Sequence, residues 1–213
     1  MFDYFVWDYD GTLFDTYDAV AKGYHRACEK LEIKIDFAEL RWLTKHSLRW
    51  AAEQLEGRYG VAKDLILQTY YAIAPEEETV ESMHPYPGTE EVLKAICDRG
   101  GKNFVYSHRD HVSTDAIRYY GLAPYFTDAI TKDDHFPRKP APDALNYLNN
   151  KHGLDPAKGV MVGDRVLDVE AGLNAGMRGI LFDPENFCEG NAPTELQYAS
   201  MADLLAAIRA NKI

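Results

Sequence analysis

Phe2-Asp3-Tyr4-Phe5-Val6-Trp7-Asp8-Tyr9-Asp10-Gly11-Thr12 decides how this chain is read. Tyr4 to Trp7 is a short, non-alternating apolar run of the kind that forms a strand buried on both faces of a parallel sheet. Asp8 and Asp10, at i and i+2, leave the end of that strand toward the same side. Like charges held this close are unfavourable unless a cation or a shared proton compensates them. Such a pair suits attack on phosphorus, where one carboxylate serves as nucleophile and its neighbour shuttles the proton. Asp-Gly is also ordinary turn chemistry, so the pentad needs support from the rest of the chain.

That support comes from rhythm. Further strand-like runs fall at Asn103 to Tyr106, Ala129 to Thr131, Gly159 to Val162 and Gly179 to Phe182. Helical patterns alternate with them, at Thr89 to Asp98, His111 to Tyr120, Pro142 to Lys151 and Val166 to Ala175. Alternating strand and helix implies an α/β fold, an open Rossmann-like parallel sheet whose ligand sits at the carboxyl ends of the strands. The stretch from Thr16 to Met83 breaks the rhythm with helical segments at Tyr17 to Leu31, Ser47 to Gly57 and Lys63 to Ile73. It is read as an inserted all-α cap (16–83) within an α/β core (1–15 and 84–213), with hinges near Asp15 and Pro85 to Pro87. Asp15 is expected to cap the first inserted helix, and Trp42 and Trp50 to anchor the small core of the insertion.

Bulk properties narrow the function. The 213 residues suffice for a real core, 46% of them are apolar, and the formal charge of −11 opposes nucleic acid backbones and anionic membranes. A phosphate ligand must then be captured by local cations. Cys28, Cys97 and Cys188 are widely spaced and form neither a disulfide framework nor a zinc motif. Asp3, Asp8 and Asp10 occupy the stretch where a signal peptide carries basic and then apolar residues, and no run reaches transmembrane length. The expected location is cytoplasmic.

Three more segments follow the pentad in order. Phe104-Val105-Tyr106-Ser107 is an apolar run ending in a hydroxyl. Arg138-Lys139-Pro140-Ala141-Pro142-Asp143 sets a lysine before a helix start. Val160-Met161-Val162-Gly163-Asp164-Arg165-Val166-Leu167-Asp168 runs from a strand into Gly-Asp, with a second Asp one helical turn on. Together the four segments resemble those of the haloacid dehalogenase superfamily over nearly the whole chain. The resemblance is to the phosphoglycolate phosphatase and β-phosphoglucomutase branch, which carries a helical cap.

The resemblance implies roles. Asp8 would be the nucleophile that forms an aspartyl-phosphate, and Asp10 the acid/base. Ser107 and Lys139 would bind the phosphoryl oxygens, with His108 and Arg109 as further substrate contacts. Mg²⁺ would be the cofactor, held by Asp8, Asp164, the Asp10 backbone carbonyl and, directly or through water or by holding Lys139, Asp168. Asp10 favours phosphate esters, whose basic leaving groups need a proton. The implied activity is a Mg²⁺-dependent phosphatase for a small phosphorylated metabolite: phosphoglycolate, a sugar phosphate or a nucleoside monophosphate. The protein would act as a monomer, or alternatively a homodimer, without nucleic acid or membrane as partner. Lys45, His46 and Arg49 are the cap residues that could set specificity, near a helix capped by Ser47; a solvated basic edge is the alternative. A mutase of the β-phosphoglucomutase type is the second reading, disfavoured by Val20 and Leu48 at the aligned cap positions. A receiver-type signalling module is a remote third. His111 and His135 are read as ordinary surface or helix-start residues.

Overall fold

The computed structural model describes residues 1–188 and 190–213. Its elements in chain order are β1 (Tyr4–Trp7), β2 (Phe14–Asp15), α1 (Tyr17–Lys30), α2 (Phe37–His46), α3 (Leu48–Tyr59), α4 (Lys63–Glu77), β3 (His84–Pro85), α5 (Thr89–Asp98), β4 (Lys102–Tyr106), α6 (Val112–Tyr119), β5 (Phe126–Ile130), α7 (Asp143–His152), β6 (Gly159–Gly163), α8 (Val166–Asn174), β7 (Arg178–Phe182), β8 (Gln197–Tyr198) and α9 (Met201–Arg209). Two compact units result, Met1–Phe14 with Pro85–Ile213, and Asp15–His84.

The first unit is an α/β fold on a sheet ordered β5-β4-β1-β6-β7-β8, parallel at every pairing. Chain order runs outward from β1 to β4 and β5 on one side, then to β6, β7 and β8 on the other. The strand order therefore reverses at β1, which makes its carboxyl end the switch point where ligands bind in such sheets. Register fixes the neighbours there: Trp7 lies opposite Val105 of β4 and Val162 of β6. All four β1 residues are buried, as a strand covered on both faces requires. Tyr4 and Val6 pack with Leu145 and Leu148 of α7 and Ala171 of α8. The Tyr4 hydroxyl donates to Asn149 Oδ1 (2.7 Å), and its ring fills the place where any side chain at Gly159 would stand.

A buried polar knot ties β1 to β4. Trp7 Nε1 donates to Asn103 Oδ1 (2.9 Å), while Asn103 Nδ2 donates to the Leu93 and Tyr125 carbonyls (both 3.2 Å). Asn103 and Trp7 are fully buried, so the Trp7 N–H lacks water as a substitute partner.

The second unit is a four-helix cluster. Val20, Tyr24, Ala27 and Cys28 of α1 pack with Leu40 and Leu43 of α2, Ala51, Ala52 and Leu55 of α3, and Ile66, Tyr70 and Ile73 of α4. Two helices fall outside the sequence expectation. α2 carries only Leu40 and Leu43 as buried large apolar residues, a weak periodic signal, yet Asp36 caps it by accepting from Ala38 N (2.9 Å) and Glu39 N (3.1 Å). α9 is capped by Ser200, which accepts from Asp203 N (3.1 Å). Two expectations are corrected. The residue preceding α1 is Thr16, without a side-chain cap, because Asp15 is drawn into β2. Trp42 is 51% exposed and sits against His46 and Trp50 instead of anchoring the core, to which Trp50 alone contributes. Among the described residues no helix is long and apolar enough to cross a membrane.

Replacing Asn103 by Leu, similar in size but without polar atoms, orphans the buried Trp7 N–H and removes a donor from the Leu93 and Tyr125 carbonyls. Urea unfolding is expected to show a loss of about 2–4 kcal/mol. A loss under about 0.5 kcal/mol, the range of neutral surface substitutions, would contradict the role given to this knot.

Candidate active site

The carboxyl ends of β1, β4 and β6 deliver three of the candidate side chains in adjacent positions. Asp8 follows β1 directly, its backbone N–H donating to Val162 O of β6 (2.8 Å). Ser107 follows β4, with its N–H on Ile130 O (2.9 Å). Asp164 follows β6. All three are buried: Asp8 is 2%, Ser107 1% and Asp164 1% exposed.

Lys139 reaches this point from the loop before α7. Its ammonium lies 2.8 Å from Asp8 Oδ1 and 2.7 Å from Asp168 Oδ1, with no exposed side-chain surface. The loop is fixed on both sides of it. The Tyr106 hydroxyl donates to Pro137 O (3.1 Å), and the Lys139 backbone N–H donates to His108 Nε2 (3.0 Å). The Tyr106 ring also faces the ammonium, 4.8 Å from ring centre to Nζ. Asp168, in the first turn of α8, divides its oxygens: Oδ1 takes Lys139, and Oδ2 accepts from Arg165 N (3.1 Å). It comes this close because residue 163 is glycine, since a Cβ there would overlap the Asp168 Cβ and Cγ.

Asp8, Asp164 and Asp168 each offer an oxygen within 4.8 Å of the others. Asp8 Oδ2 accepts no hydrogen bond and lies 3.9 Å from Arg165 Nη2. Arg165 also lies 3.9 Å from Asp164 Oδ1. Asp10 stands apart from that trio. The Tyr9–Phe14 turn, closed by Phe14 N on Tyr9 O (3.0 Å) and Gly11 N on Phe14 O (2.8 Å), presents its carboxylate to Arg109. Gly11 has φ +74°, a conformation that favours glycine. Arg109 Nε and Nη2 donate to Asp10 Oδ1 at 2.9 and 2.6 Å. Ser107 Oγ meanwhile accepts the Arg109 backbone N–H (3.0 Å).

Electrostatics follow from this burial. Desolvation pushes the Asp8 carboxyl up to about 6, reinforced by Asp168 and opposed by Lys139 and Arg165. Burial alone would lower the Lys139 ammonium, but Asp168 and Asp8 outweigh it and hold the group above its ordinary value. Burial, together with Lys139, Arg138 and Arg165, takes the His108 imidazole down to about 3. His108 is therefore neutral at physiological pH, as its acceptor role toward Lys139 N requires. Four carboxylates (Asp8, Asp10, Asp164, Asp168) are paired with three cations (Lys139, Arg109, Arg165). The set carries a net negative charge, which repels a phosphate dianion unless further positive charge joins it. Hard oxygen donors on Asp8 and Asp164, one of them accepting no hydrogen bond, fit a divalent cation of the magnesium type. Asp168, with both oxygens engaged, fits the task of holding Lys139 better than that of a ligand.

Of the residues singled out from sequence, Asp8, Asp164, Asp168 and Lys139 converge, His108 joins them through Lys139 N, and Ser107, Arg109 and Asp10 form a second linked group. Lys45, His46 and Arg49 belong to the helical unit. Lys45 is buried with its ammonium 5.1 Å from the Tyr17 ring centre, and His46 stacks on Trp50 (4.4 Å). Arg49 is exposed and pairs with Glu53 (3.3 Å). His111 is exposed at the start of α6, and His135 adopts φ 59°. Arg165 and Tyr106 escaped the sequence reading; their places beside Asp164 and Ser107 were the only local signal.

Residues 5–182 match the sequence profile of the haloacid dehalogenase-like hydrolases. The chain belongs to this family. A phosphoglycolate phosphatase of Vibrio vulnificus (strain YJ016) is 36% identical over 94 residues, which span 44% of this chain and 41% of that protein. Pyrophosphatase PpaX of Bacillus pumilus (strain SAFR-032) is 30% identical over 154 residues, 70% of each chain. A hydrolase of known structure from Streptococcus pneumoniae TIGR4 superposes with a TM-score of 0.65 at 28% identity, covering 88% of this chain and 97% of its own.

Gly163→Ala forces Asp168 away from Lys139 or strains the start of α8. Overpacking of this kind costs about 1–3 kcal/mol, and a thermal melt is expected to show it. An unchanged melting temperature would show that Asp168 can be accommodated elsewhere.

Proposed function

We propose that this chain is a Mg²⁺-dependent phosphatase that hydrolyses a small phosphorylated metabolite through an aspartyl-phosphate on Asp8. The observation that carries this reading is the buried Asp8–Lys139–Asp168 bridge at the switch point of the sheet. It orients one oxygen of Asp8 toward Lys139 and leaves the other accepting no hydrogen bond.

Asp8 attacks phosphorus in line and displaces the leaving alkoxide. Lys139 and the Ser107 hydroxyl, whose lone pair already takes the Arg109 N–H, bind the phosphoryl oxygens. Asp10 gives its proton to the departing oxygen and then takes one from the water that hydrolyses the acyl phosphate. Asp8, Asp164 and the Asp10 carbonyl would hold the magnesium ion. When bound, it supplies the positive charge that lets an anionic nucleophile approach an anionic phosphoryl group. In this reading the helical unit is the cap domain, and the protein works in the cytoplasm as a monomer. The charge of −11 argues against nucleic acid or an anionic membrane as its target.

Phosphate release from a panel of phosphoglycolate, sugar phosphates, nucleoside monophosphates and p-nitrophenyl phosphate is the test. Release is expected with MgCl₂, to vanish in EDTA, and to fall to background in Asp8→Asn. No release from any compound would overturn the reading. Asp10→Asn is expected to slow alkyl phosphates by about 10²–10⁴-fold. It is expected to slow p-nitrophenyl phosphate far less, because that leaving group departs without a proton; equal losses would remove Asp10 from the acid role.

Magnesium binding is also expected to depend on pH. The Asp8 carboxyl, raised to about 6, is protonated below that pH and then competes with the cation. The rise in melting temperature on adding MgCl₂ is therefore expected to be larger at pH 7.5 than at pH 5. An equal rise at both would separate the stabilisation from Asp8.

A further inference from the structure

Lys139 and Arg165 both stand beside Asp8, and they are held very differently. Lys139 is locked, its ammonium 2.8 Å from Asp8 Oδ1 and 2.7 Å from Asp168 Oδ1 and its side chain without exposed surface. Arg165 lies 3.9 Å from Asp8 Oδ2 through Nη2 and 3.9 Å from Asp164 Oδ1 through Nε. Both separations exceed hydrogen-bond length, so attraction between charges, and not a directional bond, links the guanidinium to these two oxygens. The backbone of Arg165 is fixed at the start of α8, its N–H on Asp168 Oδ2 (3.1 Å) and its carbonyl accepting from Asp168 N (3.0 Å). Its side chain is 23% exposed and has room to turn.

The two oxygens belong to the carboxylates whose chemistry fits a divalent cation. Magnesium sits about 2.1 Å from its oxygen ligands, so an ion on this pair comes within about 6 Å of the guanidinium nitrogens. At that range the arginine and the ion repel each other and compete for the same negative charge. Without the ion, the arginine offsets the repulsion between Asp8 and Asp164. Desolvation raises the Asp8 carboxyl, and Arg165, after Lys139, is among the charges that oppose the rise.

We propose that Arg165 is a tethered counter-ion that neutralises the Asp8–Asp164 pair until a divalent cation enters, and then gives way to it. It is a positioning residue for the cation: it keeps two buried carboxylates together and sets how tightly Mg²⁺ is held. Lys139 stays in place when the ion arrives, because Asp168 holds it from the other side. This inference rests on the reading of Asp8 and Asp164 as the groups that hold the cation.

Calorimetric titration of MgCl₂ into the metal-stripped protein tests it, in the wild type, Arg165→Met, Arg165→Gln and Arg165→Lys. Both neutral variants are expected to bind Mg²⁺ roughly tenfold or more tighter than the wild type. A unit charge about 6 Å from a divalent ion opposes it by that factor even at the screening of bulk water. Arg165→Lys, which keeps the charge, is expected to stay within about threefold of the wild type. In EDTA the neutral variants are expected to melt below the wild type, and to gain more on addition of MgCl₂. Arg165→Gln carries the test if the more apolar Arg165→Met does not fold in EDTA.

An arginine with a purely structural role would leave the magnesium affinity unchanged or weaken it when replaced, and either result would overturn the inference. So would equal tightening in Arg165→Lys, which would make bulk and not charge the obstacle to the ion. Asp164→Asn separates the inference from the reading beneath it, and is expected to abolish binding. Binding that survives Asp164→Asn in full, or no binding in any of these proteins, would remove the cation from Asp8 and Asp164 and the inference with it. Binding that depends on Asp164 but does not tighten without Arg165 leaves the cation site standing and removes only the role given to the arginine.

Discussion

A buried ammonium between two buried carboxylates is the constraint around which the α/β unit is arranged. Lys139 holds Asp8 and Asp168 at 2.8 and 2.7 Å with no solvent on its side chain. Removing such charges from water costs several kcal/mol per ion, and only close geometry with further hydrogen bonds offsets it. The surroundings supply both. Tyr106 anchors the loop and faces the ammonium, neutral His108 accepts the lysine backbone N–H, and Gly163 clears the space that Asp168 occupies. A group of this kind stabilises the fold little. Its value lies in holding one oxygen of Asp8 in place while the other accepts no hydrogen bond.

The sheet explains why the group sits where it does. β1 is the point at which strand order reverses, so its carboxyl end faces the crevice between β4 and β6. Register places Asp8 beside the strand ends that carry Ser107 and Asp164. The polar knot of Trp7 and Asn103, one residue before Asp8 on β1, holds β1 and β4 in that register. Tyr4 and Gly159 do the same between β1 and β6, because the Tyr4 ring tolerates no side chain at that position.

Much of this was legible in the sequence. Strands buried on both faces read as plain apolar runs, and Tyr4–Trp7 and Thr89–Asp98 have the limits expected of them. α2, whose apolar face is thin, does not announce itself by periodicity; its cap, Asp36, is the surer sign. Trp42 misled because size suggests burial, whereas this tryptophan packs beside His46 and Trp50 at the surface of its unit. The residue types of the site followed from the four segments, but their pairings did not. That Arg109 meets Asp10, that Arg165 approaches Asp8 and Asp164, and that Asp168 spends its oxygens on Lys139 and a backbone N–H all depend on contacts between distant parts of the chain.

The central claim is that phosphorus is transferred to Asp8. Quenching the protein during turnover and reducing it with borohydride converts an aspartyl-phosphate to homoserine, which peptide mass spectrometry locates. The account expects homoserine in place of Asp8 and at no other carboxylate. Continued phosphate release with no reduced residue, or with reduction at Asp10, Asp164 or Asp168 instead, would contradict it.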